Sequence, residues 1–379
     1  MRNGTRLGLL VVGCLGASIA VFVACSSDPV VPPNNNNNAV PCAATPGGYP
    51  DPKCDPSNNS CPGSAAACVV DKAKCGDPAT CMPLADNTGK TVVDLRIRRL
   101  NVVAPPSLAT GVIPGVVTKG VDLKRPDCAE NGDNAFNWLI RLDKTAGTLV
   151  TGGAPPVADP VGTGYCFFKK NIGGLDIQRE QVKATVTGNS FTSDTIPLLS
   201  VPIFVGGDIA NTVILPIRDA VLKNGTLSAD GNCVGSFNPK ALDNTCSIMD
   251  PDSCSKWRTD GIIGGYITLE DSDKVMIDVV SSSLCVLLTK SAKDPATNKC
   301  KRVNGVIDGA GDYCSTTKSP GGCKDSFWLS ATFAASAVKI NDGAADPNCQ
   351  GGTVVTDGGT DSGGNDAGSD ASTDAAGGG

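Results

Sequence analysis

The 379-residue chain contains no histidine. That single absence removes Ser-His-Asp and Cys-His nucleophile systems, together with every histidine-ligated catalytic metal. Glutamate is scarce as well: of 38 acidic residues only Glu130, Glu180 and Glu270 are glutamate. The remaining acids are aspartate, which favours turns and caps over helix interiors. Aromatic residues make up 4% of the chain and only three are tryptophan, so few ring faces exist on which a sugar could stack. No two cysteines have C-x-x-C spacing, which argues against a zinc ribbon or a thioredoxin-type site. Basic residues are in the minority, and the formal charge of −6 makes nucleic acid a poor partner.

What the chain does have is cysteine, glycine and proline, at 18, 45 and 26 residues. Its start has the order of an export signal: Arg2 and Arg6, an apolar stretch from Leu7 to Val23, then the small Ala24. Phe22-Val23-Ala24-Cys25 resembles the lipobox of bacterial lipoproteins, although Phe22 stands where leucine is usual. In that family the cysteine becomes the acylated first residue of the mature chain. Val12-Gly13-Cys14 is a weaker match, because a cut there leaves a very short apolar core. Removing residues 1–24 takes two arginines and no acid, so the formal charge goes from −6 to −8.

Assigning Cys14 to the signal and Cys25 to lipid leaves an even set: Cys42, Cys54, Cys61, Cys68, Cys75, Cys81, Cys128, Cys166, Cys233, Cys246, Cys254, Cys285, Cys300, Cys314, Cys323 and Cys349. In an exported chain these read as a disulfide framework. Composition divides the chain further. Residues 25–41 form a disordered polar tether, and residues 42–90 a small subdomain held mainly by bridges. Within it Cys54, Cys61, Cys68 and Cys75 recur every seven residues. A helix between Pro62 and Gly76 would set Cys68 and Cys75 about 10.5 Å apart, too far to bridge each other. Residues 351–379, rich in Gly and Asp, form a disordered tail rather than a calcium site.

Residues 91–350 are long enough for one large core. Alternation at Val93-Leu95-Ile97, Phe136-Trp138-Ile140-Leu142, Val182-Ala184-Val186 and Phe327-Leu329-Ala331-Phe333 predicts short strands between Gly/Asp/Pro turns. The fold expected is mainly β: a disulfide-rich β-sandwich or jelly-roll-like domain with a small Cys-rich N-terminal subdomain. The stretch from Asp325 to Ile340 reads as one long strand whose alanines permit close sheet packing. Between Glu270 and Leu288 a helix competes with strand. Met276, Val280, Leu284 and Leu287 fall at helical spacing behind a Thr268/Asp271 cap, while the β-branched residues oppose it. Local bridges are expected for Cys246 with Cys254 and for Cys314 with Cys323.

Chemical motifs are thin. Ser253-x-x-Lys256 and Ser315-x-x-Lys318 match S-x-x-K without the companions that catalysis at such serines needs. Thr88-Gly89-Lys90-Thr91 ends like a phosphate loop, but Leu84 occupies the first glycine position, so it reads as a turn entering a strand. Each glutamate has a turn or surface role as its plainer reading, and the glycine-rich loop Val306–Asp312 reads as a turn before a calcium loop. Core or edge packing is the expectation for Trp138, Trp257 and Trp328. No catalytic residue, metal ligand or cofactor is singled out.

From signal to tail, the layout resembles surface lipoproteins of large-genome Gram-negative bacteria. The resemblance implies lipidation at Cys25 and an envelope location. Ser26 in place of aspartate points by analogy to the outer membrane. The expected partners are the membrane, through the lipid anchor, and an envelope polymer, a glycan or another surface protein. The leading expectation is a non-enzymatic binding or structural module. The alternative is a carboxylate-dependent hydrolase of polysaccharide.

Overall fold

A computed structural model describes residues 42, 44–54, 80–109, 136–237, 257–341 and 349 of the chain, all within a unit that runs from residue 39 to 379. The N-terminal signal, Cys25, the tether, Cys61, Cys68, Cys75, Cys128, Cys246, Cys254, Glu130, the 253–256 motif and the tail lie outside the described residues.

The alternating stretches become strands. In chain order these are β1 (Val92–Ala104), β2 (Asn137–Asp143), β3 (Thr148–Ala154), the side hairpin β4 (Lys170–Ile172) and β5 (Leu175–Ile177), β6 (Glu180–Thr187), β7 (Ser190–Ser193) and β8 (Ile196–Phe204). They continue with β9 (Thr212–Lys223), β10 (Gly225–Thr226), β11 (Cys233–Val234), the pair β12 (Ser236–Phe237) and β13 (Trp257–Arg258), and β14 (Ile262–Thr268). Two small hairpins follow, β15 (Met276–Ile277) with β16 (Ser282–Ser283) and β17 (Arg302–Val303) with β18 (Val306–Ile307), before β19 (Ser326–Ala337). Among the described residues three short α-helices punctuate them: α1 (Pro106–Ala109), α2 (Leu269–Lys274) and α3 (Leu284–Thr289).

One antiparallel sheet carries the body. Its order is β10-β7-β6-β3-β2-β1-β19-β14-β9-β8, with β11 also paired to β19. The sheet curls until β8 lies against β3 and β7 against β9, so two halves of one sheet enclose the core that a sandwich would build from two. Gly153 on β3 marks where the halves touch: a Cβ there would stand 2.2 Å from Pro202 Cδ on β8. Pro197 and Pro202 are tolerated because β8 is an edge strand.

Strand β1 shows how register serves burial. Val93, Leu95 and Ile97 face the main core, a register shift falls between Ile97 and Arg99, and Leu100 then takes over the inward parity. Such a bulge flips the alternation without breaking the strand. The residues turned the other way, Arg96 and Arg98, are buried too. Arg96 Nε donates to Asn137 Oδ1 (2.7 Å) and its guanidinium lies over the Tyr165 ring. Arg98 donates to Met82 O and lies over the Trp257 ring.

Strand β19 lies at the centre and is buried at all twelve positions. Phe327, Leu329, Ala331, Phe333 and Ala335 face the main core. On its other face Trp328 packs with Tyr266 and Tyr313, and Ala334 packs with Cys81, Met82, Phe237 and Trp257. That outer face is covered by the N-terminal segment. Trp328 Nε1 donates to Gly48 O (2.7 Å), Ser336 Oγ donates to Cys81 O, and Thr259 Oγ1 donates to Cys54 O (3.3 Å). The described part of residues 42–90 thus packs onto the outer face of β19, with Cys81 and Met82 in a cluster separate from the main core.

Five disulfides join described cysteines: Cys42–Cys54, Cys81–Cys233, Cys166–Cys349, Cys285–Cys300 and Cys314–Cys323. The expected local bridge Cys314–Cys323 is among them.

The ambiguous segment from 270 to 288 is neither one helix nor one strand. Thr268 caps α2, accepting from Asp271 N–H (3.0 Å). The β-branched run Val275, Ile277 and Val280 then turns through the β15–β16 hairpin, with Ser281 left-handed at φ +45, before α3 begins.

Candidate functional site: an apolar cavity in the curled sheet

The curl of the sheet leaves a cavity of ≈ 60 Å³ whose sixteen lining residues are all apolar. Its floor is Trp138 of β2 with Leu329 and Ala331 of β19. Ile203 of β8 and Leu215 of β9 form a side wall, and Leu108 of α1 and Leu284 of α3 close over it. These seven are buried. Val102, Val205, Val213, Ile277, Val280 and Leu287 also line the cavity but are partly exposed, which gives it an apolar rim on one side.

No polar group is left facing this space. The only lining side chain with a polar atom is Trp138, and its Nε1–H is turned to Thr151 Oγ1 (2.8 Å), whose hydroxyl in turn donates to Leu139 O (2.8 Å). A cavity without hydrogen-bonding partners holds water poorly and accepts hydrocarbon instead. The ≈ 60 Å³ is several times the roughly 10–15 Å³ needed to hold one water-sized group, so a short piece of hydrocarbon fits.

Of the four residues at helical spacing, Val280, Leu284 and Leu287 do converge, but on this cavity and by way of a hairpin followed by a helix. A lining drawn from strands spread between residues 100 and 331 has no local period, so alternation alone could not locate it.

A second depression of ≈ 420 Å³ is lined mainly by charged and polar residues. It includes Asp273, Lys293, Lys299, Lys301 and Arg302. Lys293 Nζ donates to Ser281 O (3.1 Å), the residue after Val280 of the apolar rim. Asp273 is engaged in holding the wall together: its carboxylate accepts from Ser283 Oγ (2.9 Å), Cys300 N–H (2.8 Å) and Arg302 (3.0 Å). Asp273 also lies near the sulfurs of Cys285 and Cys300, but these are joined to each other and are not available as metal ligands.

The remaining sequence candidates have structural partners. Glu270 is clamped by Arg302, and Glu180 accepts from Gln178. Neither lines either space. Ser315 Oγ donates to Asp325 (2.6 Å), whereas Lys318 pairs with Asp219 (2.6 Å) and donates to Tyr266 Oη. The serine and lysine of this S-x-x-K stretch therefore serve different partners. In the loop from Val306, Asp312 accepts from Trp328 N–H (2.8 Å), and burial pushes its carboxyl above the ordinary range. A side chain at Gly311 would collide with the Ser326 backbone, so this turn is packed onto β19. Gly89 turns the chain at φ +75 directly before β1, as a strand-entry turn requires. Trp138, Trp257 and Trp328 are all buried, so none offers an exposed sugar platform.

One ionic group ties α2 to β9. Burial pushes Asp271 up, but donors from Arg218, Thr268 and Lys274 outweigh it and hold the carboxyl below its ordinary value.

Fold and bridges together define a disulfide-rich, mainly β protein with an apolar cavity inside one curled sheet. No family model, curated protein or solved structure matches the chain.

Proposed function

We propose that this chain is an exported, lipid-anchored binding module of the cell envelope that acts without catalysis and seats a slim apolar chain in its sheet cavity. The wholly hydrocarbon lining around Trp138 and Leu329 is the observation that carries this reading. The export signal, the lipobox-like Phe22–Cys25 and the even number of remaining cysteines support the address. Anchoring is through Cys25, with the outer membrane as the site.

The cavity also sets the strength expected. About five methylenes at ~0.8 kcal/mol each contribute roughly 4 kcal/mol, which alone corresponds to a dissociation constant near 1 mM. Contacts at the rim add to this. An affinity of that order suits a ligand met at high local concentration, as hydrocarbon is at a membrane surface.

The test uses residues 39–379 exported to an oxidising compartment, titrated with a fluorescent fatty acid and then with unlabelled dodecanol. Saturable binding that dodecanol displaces is expected. Leu287→Glu, at the half-exposed rim, should abolish it while the melting temperature stays within a few degrees. Binding that survives Leu287→Glu unchanged removes the cavity as the site. The address is tested separately: Cys25→Ser should abolish incorporation of labelled palmitate and Cys14→Ser should not, and the reverse result moves the mature start.

A further inference from the structure

Exposed large apolar side chains are few among the described residues, yet two of them, Val303 and Val306, are direct cross-strand neighbours. They are the last pair of the β17–β18 hairpin, exposed by 50% and 68%. Asn304 and Gly305 close the turn, both left-handed at φ +52 and +82, which is the backbone a two-residue hairpin loop demands. The valines therefore project side by side from a tight tip, a placement that contributes nothing to the core.

The hairpin is firmly mounted. At its base Arg302 clamps both oxygens of Glu270 (3.0 and 2.8 Å), reaches Asp273 (3.0 Å) and donates to Gly305 O (3.1 Å). Cys300, two residues earlier, is bridged to Cys285 of α3. Approaching the tip, residues 290–302 read KSAKDPATNKCKR. Lys290, Lys293, Lys299, Lys301 and Arg302 stand there against Asp294 alone, in a chain of formal charge −6. Lys290, Lys293 and Lys301 are exposed, and Lys299 and Lys301 have no ion-pair partner among the described residues. Asp308, exposed just past the tip, is the only other acid in its immediate sequence.

An apolar tip reached through a lysine-rich stretch, whose Lys293, Lys299 and Lys301 share one depression with Arg302 at the hairpin base, is the chemistry of a surface that meets both acyl chains and anionic headgroups. We infer that the β17–β18 hairpin docks on an anionic lipid bilayer, with Val303 and Val306 entering the acyl boundary while Lys293, Lys299 and Lys301 face headgroup phosphates. This stands independently of the cavity reading, although the two features are neighbours, since Lys293 bonds the Ser281 carbonyl at the cavity rim. Docking would add an orientation that attachment through a lipid on Cys25 does not by itself supply.

The experiment is cosedimentation of residues 39–379, without the lipid anchor, with vesicles of phosphatidylcholine alone or rich in phosphatidylglycerol. Binding to the anionic vesicles alone, weakened by salt, is expected. Val303→Asp with Val306→Asp should lower partitioning about tenfold without shifting the melting temperature. Lys299→Gln with Lys301→Gln should remove the preference for anionic vesicles. Val161→Asp, at another exposed valine (45%), should change nothing. Equal binding to both vesicle types, wild-type binding by the double-valine variant, or an equal loss in Val161→Asp each overturns the inference. A valine-independent attachment to a soluble polyanion also overturns it, by making the partner an acidic polymer.

Discussion

Cutting the Cys81–Cys233 bridge isolates the contribution of the N-terminal segment to the β body. The two cysteines are 152 residues apart with Cα atoms at 5.7 Å. In the chain-entropy treatment a loop of that length restricts the unfolded chain by about 17 cal/mol/K, or roughly 5 kcal/mol at 25 °C. The Cys166–Cys349 bridge already constrains part of the same loop, so the expected cost lies at roughly 3–5 kcal/mol. Cys314–Cys323, with a separation of nine residues, provides the internal standard, at roughly 2.6 kcal/mol by the same treatment. Urea unfolding of oxidised residues 39–379 should therefore rank wild type first, Cys314→Ala/Cys323→Ala second and Cys81→Ala/Cys233→Ala last. The last should also show a larger m-value, because its unfolded state exposes more surface. If the short-loop variant loses as much stability as the long-loop one, the reasoning is refuted and residues 80–90 do not brace β19.

Two other perturbations probe the curl and the ionic brace. Gly153→Ala places a Cβ 2.2 Å from Pro202 Cδ and should cost about 1–3 kcal/mol by urea midpoint, whereas the same change at exposed Gly321, where no atom lies within 4 Å of the added Cβ, should show no packing penalty. Equal costs at both positions would mean that backbone conformation rather than sheet closure decides. Asp271→Asn should cost roughly 1–2 kcal/mol at pH 7. The carboxyl of Asp271 is depressed in the folded state, so its contribution is present above about pH 4 and is lost as pH falls through the folded value. The difference between wild type and variant should therefore shrink as pH falls below about 4, the ordinary carboxylate value. A difference that grows toward acid contradicts the assignment.

Much of the fold was legible because one-sided burial writes itself as alternation. Val93-Leu95-Ile97, Trp138-Ile140-Leu142 and Phe327-Leu329-Ala331-Phe333 all face the main core from strands. The bulge after Ile97 was not legible, since buried Arg96 and Arg98 read as a polar outer face until Tyr165 and Trp257 are seen beneath them. Nor was the break between α2 and α3, where a genuine Thr268 cap and β-branched residues give opposing local signals and a left-handed Ser281 decides. Among the described cysteines, pairing was legible only at Cys314–Cys323, because proximity in sequence says nothing about Cys81 with Cys233 or Cys166 with Cys349. The cavity itself depends on how far two halves of a sheet stand apart, a distance that no stretch of residues encodes locally.

Trp138 gives the most direct view of the central claim, because its indole forms the cavity floor while Trp257 and Trp328 lie on the opposite face of the sheet. A fatty acid brominated along its chain quenches tryptophan only on contact. Titrated into residues 39–379, it should quench a large part of the emission, equally well after Trp257→Phe or Trp328→Phe, and the quenching should vanish after Trp138→Phe. Quenching that persists in Trp138→Phe, or none in the wild type at millimolar ligand, contradicts a hydrocarbon-binding cavity.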